Sequence, residues 1–144
     1  MMLLVTATVC AGLFSGAALY INLVEHPARM ACGTELAVRE FGPSYRRATV
    51  LQASLALIGS LAGGAGAWKQ TDRTLLVASL LLVAVVPFTL VVILPTNKRL
   101  LDPLLDPTSG QARVLLTRWG RLHAVRTGLS LVAFLIFLWR LANG

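Results

Sequence analysis

Charge is the scarcest commodity in this chain of 144 residues: Lys, Arg, Asp and Glu together make up 13%, and only six residues are acidic. A soluble domain of this size carries about 25% charged residues, and a mean hydropathy of +0.74 leaves too few polar groups to cover a water-facing surface. Histidine and cysteine are nearly absent too, at two each. With no third histidine, no CxxCH and no HExxH, a zinc site would be incomplete. Gly-rich phosphate cradles, nucleophile elbows and carboxylate pairs at glycosidase spacing are all missing. A helix from Cys10 to Pro27 would be about 25 Å long. The five residues beyond it could hardly return Cys32 to the roughly 6 Å that a disulfide requires, so both cysteines are expected to be free thiols.

What is present is apolar sequence, 56% of the chain. Residues 1–24, 48–68 and 74–97 carry no charge, and each run is long enough for the roughly 20 residues that cross a 30 Å hydrocarbon core. The first lacks the positively charged start of a secretory signal and reads as a permanent span. The fourth uncharged run, residues 127–139, is short, at about 20 Å of helix. It spans only if the helix reaches back through Arg126 and His123 to about Gly120. The expected fold is all-α, an integral membrane four-helix bundle with spans at about 2–25, 48–68, 74–96 and 120–140, forming one transmembrane domain over residues 1–144. A homo-oligomer is compatible with this reading.

The net charge of +7 does not point to nucleic acid, because the basic residues lie between the apolar runs. Arg29, Arg39, Arg46 and Arg47 follow the first, and Lys98, Arg99, Arg113, Arg118, Arg121 and Arg126 surround the third connection. Only Lys69, Arg73 and Arg140 lie on the other side. By the positive-inside rule, loops one and three should be cytoplasmic and both termini outside, in a multi-pass protein of the cell membrane. His26-Pro27 and Leu94-Pro95 each close a span, a faint echo of two related helical hairpins. Pro27 should end or kink the first span and bias His26 away from helical geometry. Asp102-Pro103 and Asp106-Pro107 favour turns, Gly42-Pro43 marks the entry to the second span, and residues 111–121 read as an interfacial amphipathic segment.

Helical spacing gathers the polar residues at one end. Ala11, Ser15, Ala18, Asn22, Glu25 and Arg29 form one stripe, with His26 a turn beyond Asn22. Tyr45, Ala48, Gln52, Ala56, Gly59 and Gly63 form a second, and Trp119, His123, Arg126, Ser130 and Ala133 a third. Asn97 closes the third span at the same end. Small residues along a stripe permit close packing in lipid, so these faces should point inward. That brings Asn22, Glu25, His26, Gln52, Asn97, His123 and Arg126 toward one pocket. A Glu25–Arg126 ion pair would neutralise both charges, and Trp119 suits either an interfacial anchor or a stacking surface for a flat ligand.

The runs Asn22-Leu23-Val24-Glu25-His26-Pro27-Ala28-Arg29, Pro43-Ser44-Tyr45-Arg46-Arg47-Ala48-Thr49, Pro95-Thr96-Asn97 and Trp119-Gly120-Arg121-Leu122-His123-Ala124-Val125-Arg126 together resemble bacterial members of the anthrone-oxygenase-like family, over about residues 12–139. The resemblance implies a small four-helix membrane bundle. Through the family's characterised fungal members, it also implies an oxidoreductase that converts anthrones to anthraquinones with molecular oxygen and no known cofactor.

Three readings of the polar end follow. In a cofactor-independent oxygenase for a lipophilic aromatic, His123 or His26 would be the base. Arg126 would stabilise the anion, Asn22 or Asn97 would supply orienting donors, and Glu25, Gln52 and Trp119 would complete the substrate site. In a haem- or metal-binding bundle, His26 and His123 would be the ligands. In a non-catalytic membrane partner or assembly subunit, the same polar groups would hold helices together.

Overall fold

A computed structural model describes all 144 residues and contains helices and turns, with no strand. Four helices are long and apolar enough to cross a membrane: α1, Met2–Ala31; α2, Thr34–Gln70; α3, Arg73–Leu100; and α4, Gly110–Ala142. They form an integral membrane four-helix bundle. Neighbours in sequence pack side by side, and α4 closes the ring against α1. Helices suit these runs because hydrocarbon offers backbone groups no partners, so every N–H and C=O must be paired within its own segment.

The bundle is small inside and large outside. Ala7, Ala11, Ala18, Ala56, Ala78 and Ala133 are wholly buried, letting the helices approach closely. Val5, Val9, Leu13, Leu57, Ile58, Leu61, Leu76, Val77, Leu80, Val132, Leu135 and Leu138 are exposed. An apolar belt of that extent has no stable place in water; in a bilayer it is the lipid-facing surface.

The helices overshoot the expected spans. At 28 to 37 residues they run about 42–56 Å, against about 30 Å of hydrocarbon. The first connection is only Cys32 and Gly33, the latter at φ 100°, a value that favours glycine. Most of the expected loop one is therefore helix, and α2 runs through Gly42-Pro43 rather than starting there. Residues 111–121 are the first turns of α4 rather than a separate interfacial segment. Their continuity with the span carries His123 and Arg126 well inside a helix. Between α3 and α4, Asp102 accepts from the Leu104 N–H at 2.9 Å and Asp106 from the Thr108 N–H at 2.8 Å, the turns expected of Asp-Pro.

Pro27 does not end α1, and His26 is helical at φ −65°, ψ −46°. The reason is a π-helical turn, Ile21–Glu25, immediately before it, in which the His26 N–H reaches back five residues to Ile21. The same device recurs in α3. Thr89–Ile93 is π-helical and the Leu94 N–H bonds to Thr89, one residue before Pro95. Widening the helix by one residue eases the clash of the proline ring with the preceding turn and turns the side chains beyond it to a new face. Arg29 and Asn97, each two residues past its proline, are both buried.

At the opposite end, Asp72 caps α3 by accepting from the Thr74 and Leu75 N–H groups at 2.8 and 3.2 Å, and Arg140 of α4 donates to its other oxygen at 2.5 Å. The Arg140 hydrogen bond and the two cap bonds hold the carboxyl below its ordinary value of 3.8. Replacing Asp72 by Ala should cost about 1 kcal/mol through the cap alone, read as a lower unfolding temperature in detergent. Because the folded-state value is depressed, the contribution should be complete above pH 3.8 and fade as pH falls through the lower folded value. Asp72→Asn should remove that acid-side dependence.

Candidate functional site

The polar end holds a cavity of about 130 Å³ bounded by all four helices. Five of the eight residues expected at the site line it: Gln52 from α2, Asn97 from α3, and Trp119, His123 and Arg126 from α4. Asn22, Glu25 and His26 stand behind that lining.

Asn22 sits inside the π turn of α1 and bridges to α4. Its Nδ2 donates to the Gly120 carbonyl at 3.1 Å, and a carbonyl can only accept, so the orientation of the amide is fixed. Its Oδ1 must then accept from His123 Nδ1, at 2.8 Å. Thr127 Oγ1 lies 2.5 Å from the same oxygen and 3.0 Å from the His123 carbonyl, sharing its one proton between them. The neutral imidazole is thereby held with its proton on Nδ1, and Nε2 keeps a free lone pair with no protein partner. His123 is 2% exposed and lines the cavity, so what remains accessible of the ring is reached from the cavity.

Trp119 is buried rather than an interfacial anchor. Its indole stacks on His123 at 4.7 Å between centroids, meets His26 at 5.2 Å and takes the edge of Phe41 at 5.4 Å. His26 packs against the backbone of α4, where a Cβ added at Gly120 would lie 2.7 Å from Nε2. Only glycine permits that approach. The His26 Nδ1 is buried without a hydrogen-bond partner. Since His123 lines the cavity and His26 does not, the two imidazoles are not presented to one common space, and no group of three or more His, Cys, Asp or Glu side chains could hold a metal ion.

The charges are distributed unevenly. The expected Glu25–Arg126 pair is not formed. Glu25 binds Arg29, one helical turn away, and accepts from Ser44 Oγ at 2.8 Å, while Arg29 also pairs with Glu40 at 2.9 Å. The π turn and the length of α1 past Pro27 place Glu25 beside its own helix and the start of α2, away from α4. Arg126 is left with no carboxylate. It donates to the Gln52 Oε1, lies 4.9 Å over the Phe14 ring and keeps a buried Nε without a partner. Desolvating a guanidinium costs several kcal/mol. A hydrogen bond to a charged group returns about 1.5–3 and a cation–π contact about 0.5–2, so Arg126 remains a counter-charge short. Asn97 is 1% exposed, and its Oδ1 is a second unpaired group at the cavity.

Arg29, Tyr45, Phe14 and Phe41 also line the cavity and were not among the expected site residues. Arg29 and Tyr45 lie on the polar stripes, but both fall between the expected first and second spans, which made them look like loop residues. Phe14 and Phe41 carry no signal that separates them from other core aromatics.

The family model for anthrone oxygenase matches residues 41–136, a stretch that includes every cavity residue of α2, α3 and α4. Anthrone oxygenase tpcL of Aspergillus fumigatus is 30% identical over 132 residues, an alignment covering 85% of this chain and 82% of the fungal protein. No solved structure matches. On its sequence, its four apolar helices and this extent of similarity, the chain belongs to the anthrone oxygenase family.

Proposed function

We propose that the protein oxygenates a lipophilic, anthrone-like aromatic in this cavity, using molecular oxygen and no bound cofactor. The observation that carries the reading is the presence in one cavity of His123, whose Nε2 has no protein partner, and a guanidinium, Arg126, that lacks a counter-charge. A doubly benzylic methylene across the central ring from a ketone is acidic because its anion is delocalised through the aromatic rings onto the ketone oxygen. His123 Nε2 takes the proton and the Asn22 carbonyl steadies the resulting imidazolium through Nδ1–H. Arg126 faces the negative charge, and the fixed donor gains strength from its low-dielectric surroundings. Trp119 and Phe14 supply flat apolar walls.

The anion gives one electron to oxygen, and the radical pair combines to a carbon-bound peroxide that takes up a proton. Loss of the remaining C–H proton with cleavage of the O–O bond leaves the ketone and releases water. One methylene and one O2 thus become one carbonyl and one H2O, with all electrons drawn from the substrate. His26 buttresses Trp119, and Asn97 and Gln52 orient the substrate and Arg126.

Measured as anthraquinone formed from anthrone by reconstituted protein, His123→Ala should lower turnover by about 10²–10⁴-fold while the bundle remains folded at a lowered unfolding temperature. Turnover equal to wild type would remove His123 from the mechanism. Arg126→Met preserves volume and removes an uncompensated charge, so it should leave stability equal or higher and still abolish most turnover. A bundle that instead falls apart in both variants is the signature of a non-catalytic scaffold.

We also infer that the polar end faces the cytoplasm, from the ten-to-three distribution of Lys and Arg. The exposed Cys32 in the first connection is a native reporter, since Cys10 is buried. In intact cells a membrane-impermeant maleimide should leave it unlabelled and should label it after permeabilisation; labelling of intact cells would invert the topology.

A further inference from the structure

The cavity is largely walled toward the polar end, where only Ser44 and Tyr45 of its lining are partly exposed, and open on one side. Toward the polar end stand Arg29, clamped by Glu25 and Glu40, then Phe41 stacked on Tyr45 at 5.7 Å and Trp119 behind them. Arg29, Phe41, Trp119 and Asn97 are each at most 6% exposed. The side wall between α2 and α3 is different. Thr49 and Ala53 of α2 and Leu90 of α3 line the same cavity and are exposed, with Ala48, Val86 and Thr89 partly so.

The seam between these helices is tight further along. A Cβ at Gly59 would come within 2.8 Å of Leu82, leaving no gap there. It loosens from Ala56 and Val85 toward the polar end, where the π turn Thr89–Ile93 packs on α4. Leu90 lies seven residues, about 10 Å of helix, before Asn97, so the α3 edge of the opening lies within the uncharged run 74–97, and the α2 edge runs from Thr49 into the uncharged run 48–68. No rim residue is charged. An ion cannot wait in that environment at acceptable cost, whereas an uncharged polycyclic ketone partitions into it.

We propose that the cavity is loaded sideways from the bilayer, through the slot between Thr49–Ala53 and Val86–Leu90, by a neutral, flat, lipid-dissolved aromatic that is ionised only after it reaches His123. The proposal rests on the oxygenase reading for the ionisation step and on the geometry alone for the route. It explains why Arg126 is left without a carboxylate: the substrate arrives uncharged and becomes the counter-ion in place. It also assigns the small side chains at Ala48 and Ala53 a role beyond helix packing, because they keep the slot open.

The route is tested without relying on turnover. In a Trp68→Phe, Trp139→Phe background, Trp119 is the sole tryptophan, and anthraquinone added to protein in phosphatidylcholine vesicles should quench its fluorescence as it enters. Ala53→Phe should slow quenching at least tenfold while the final extent holds, and Leu90→Ala should speed it. Ala65→Phe, the same enlargement at an exposed position of α2 about three turns further along and outside the slot, should change neither. Absence of quenching in the parent protein, or rates that Ala53→Phe and Leu90→Ala leave unchanged, overturns the proposal. So does a loss of final extent at unchanged rate in Ala53→Phe, which would make Ala53 a cavity wall only. If quenching follows the expected pattern but anthrone is never oxidised by the unmodified protein, the lateral route stands and the oxygenase reading fails.

Discussion

The amide of Asn22 is the contact on which the polar end depends. One nitrogen and one oxygen join the π turn of α1 to three groups of α4: the Gly120 carbonyl, the His123 ring and the Thr127 hydroxyl. In hydrocarbon, none of these groups has water to fall back on, and an unmatched one costs about 1–3 kcal/mol. The amide therefore fixes how α1 and α4 meet, which face of His123 carries the proton and which nitrogen looks into the cavity. Gly120 completes the arrangement, because His26 occupies the volume that any side chain there would need.

Two prolines make that contact accessible. A regular α-helix running to Pro27 would clash with the ring one turn earlier, and a helix that stopped would strand backbone groups in the membrane. The π turn meets both constraints by adding one residue to the circuit, and the same solution appears before Pro95. The consequence is functional as well as structural. Arg29 and Asn97 emerge at matching positions past the two turns and close the polar end of the cavity from α1 and α3. The polar end is thus built from two copies of one backbone device, one held by carboxylates and the other left with a free carbonyl oxygen.

Electrostatic satisfaction is deliberately lopsided in space. Arg29 meets two carboxylates at the rim, where the chain leaves the membrane, and Arg126 meets none further in. Were the acidic partners reversed, the deeper guanidinium would be neutral in effect and the cavity would have nothing to offer a developing anion. The neutral rim of the proposed lateral slot and the unneutralised cation beyond it fit the proposed oxygenase reading, in which charge is created inside and never transported there.

The four spans, their helical nature and the polar character of one end were set by the sequence alone. The length of an apolar run and its 3.6-residue stripes are local properties that no partner can alter. The short fourth run likewise required Arg126 and His123 to lie within a helix. The pairing of those polar groups was decided only in three dimensions. One extra residue in a π turn rotates everything beyond it, and such a turn has no local pattern that distinguishes it from an ordinary proline kink. That rotation sent Glu25 to Arg29 instead of Arg126 and put Asn22 and His26 behind the lining. A buried Trp119 in place of an interfacial one, and a seam that is tight at Gly59 yet open at Ala53, arise similarly from how neighbouring helices diverge. Stripes give the face a residue occupies; the distance to the facing helix belongs to the packing of the whole bundle.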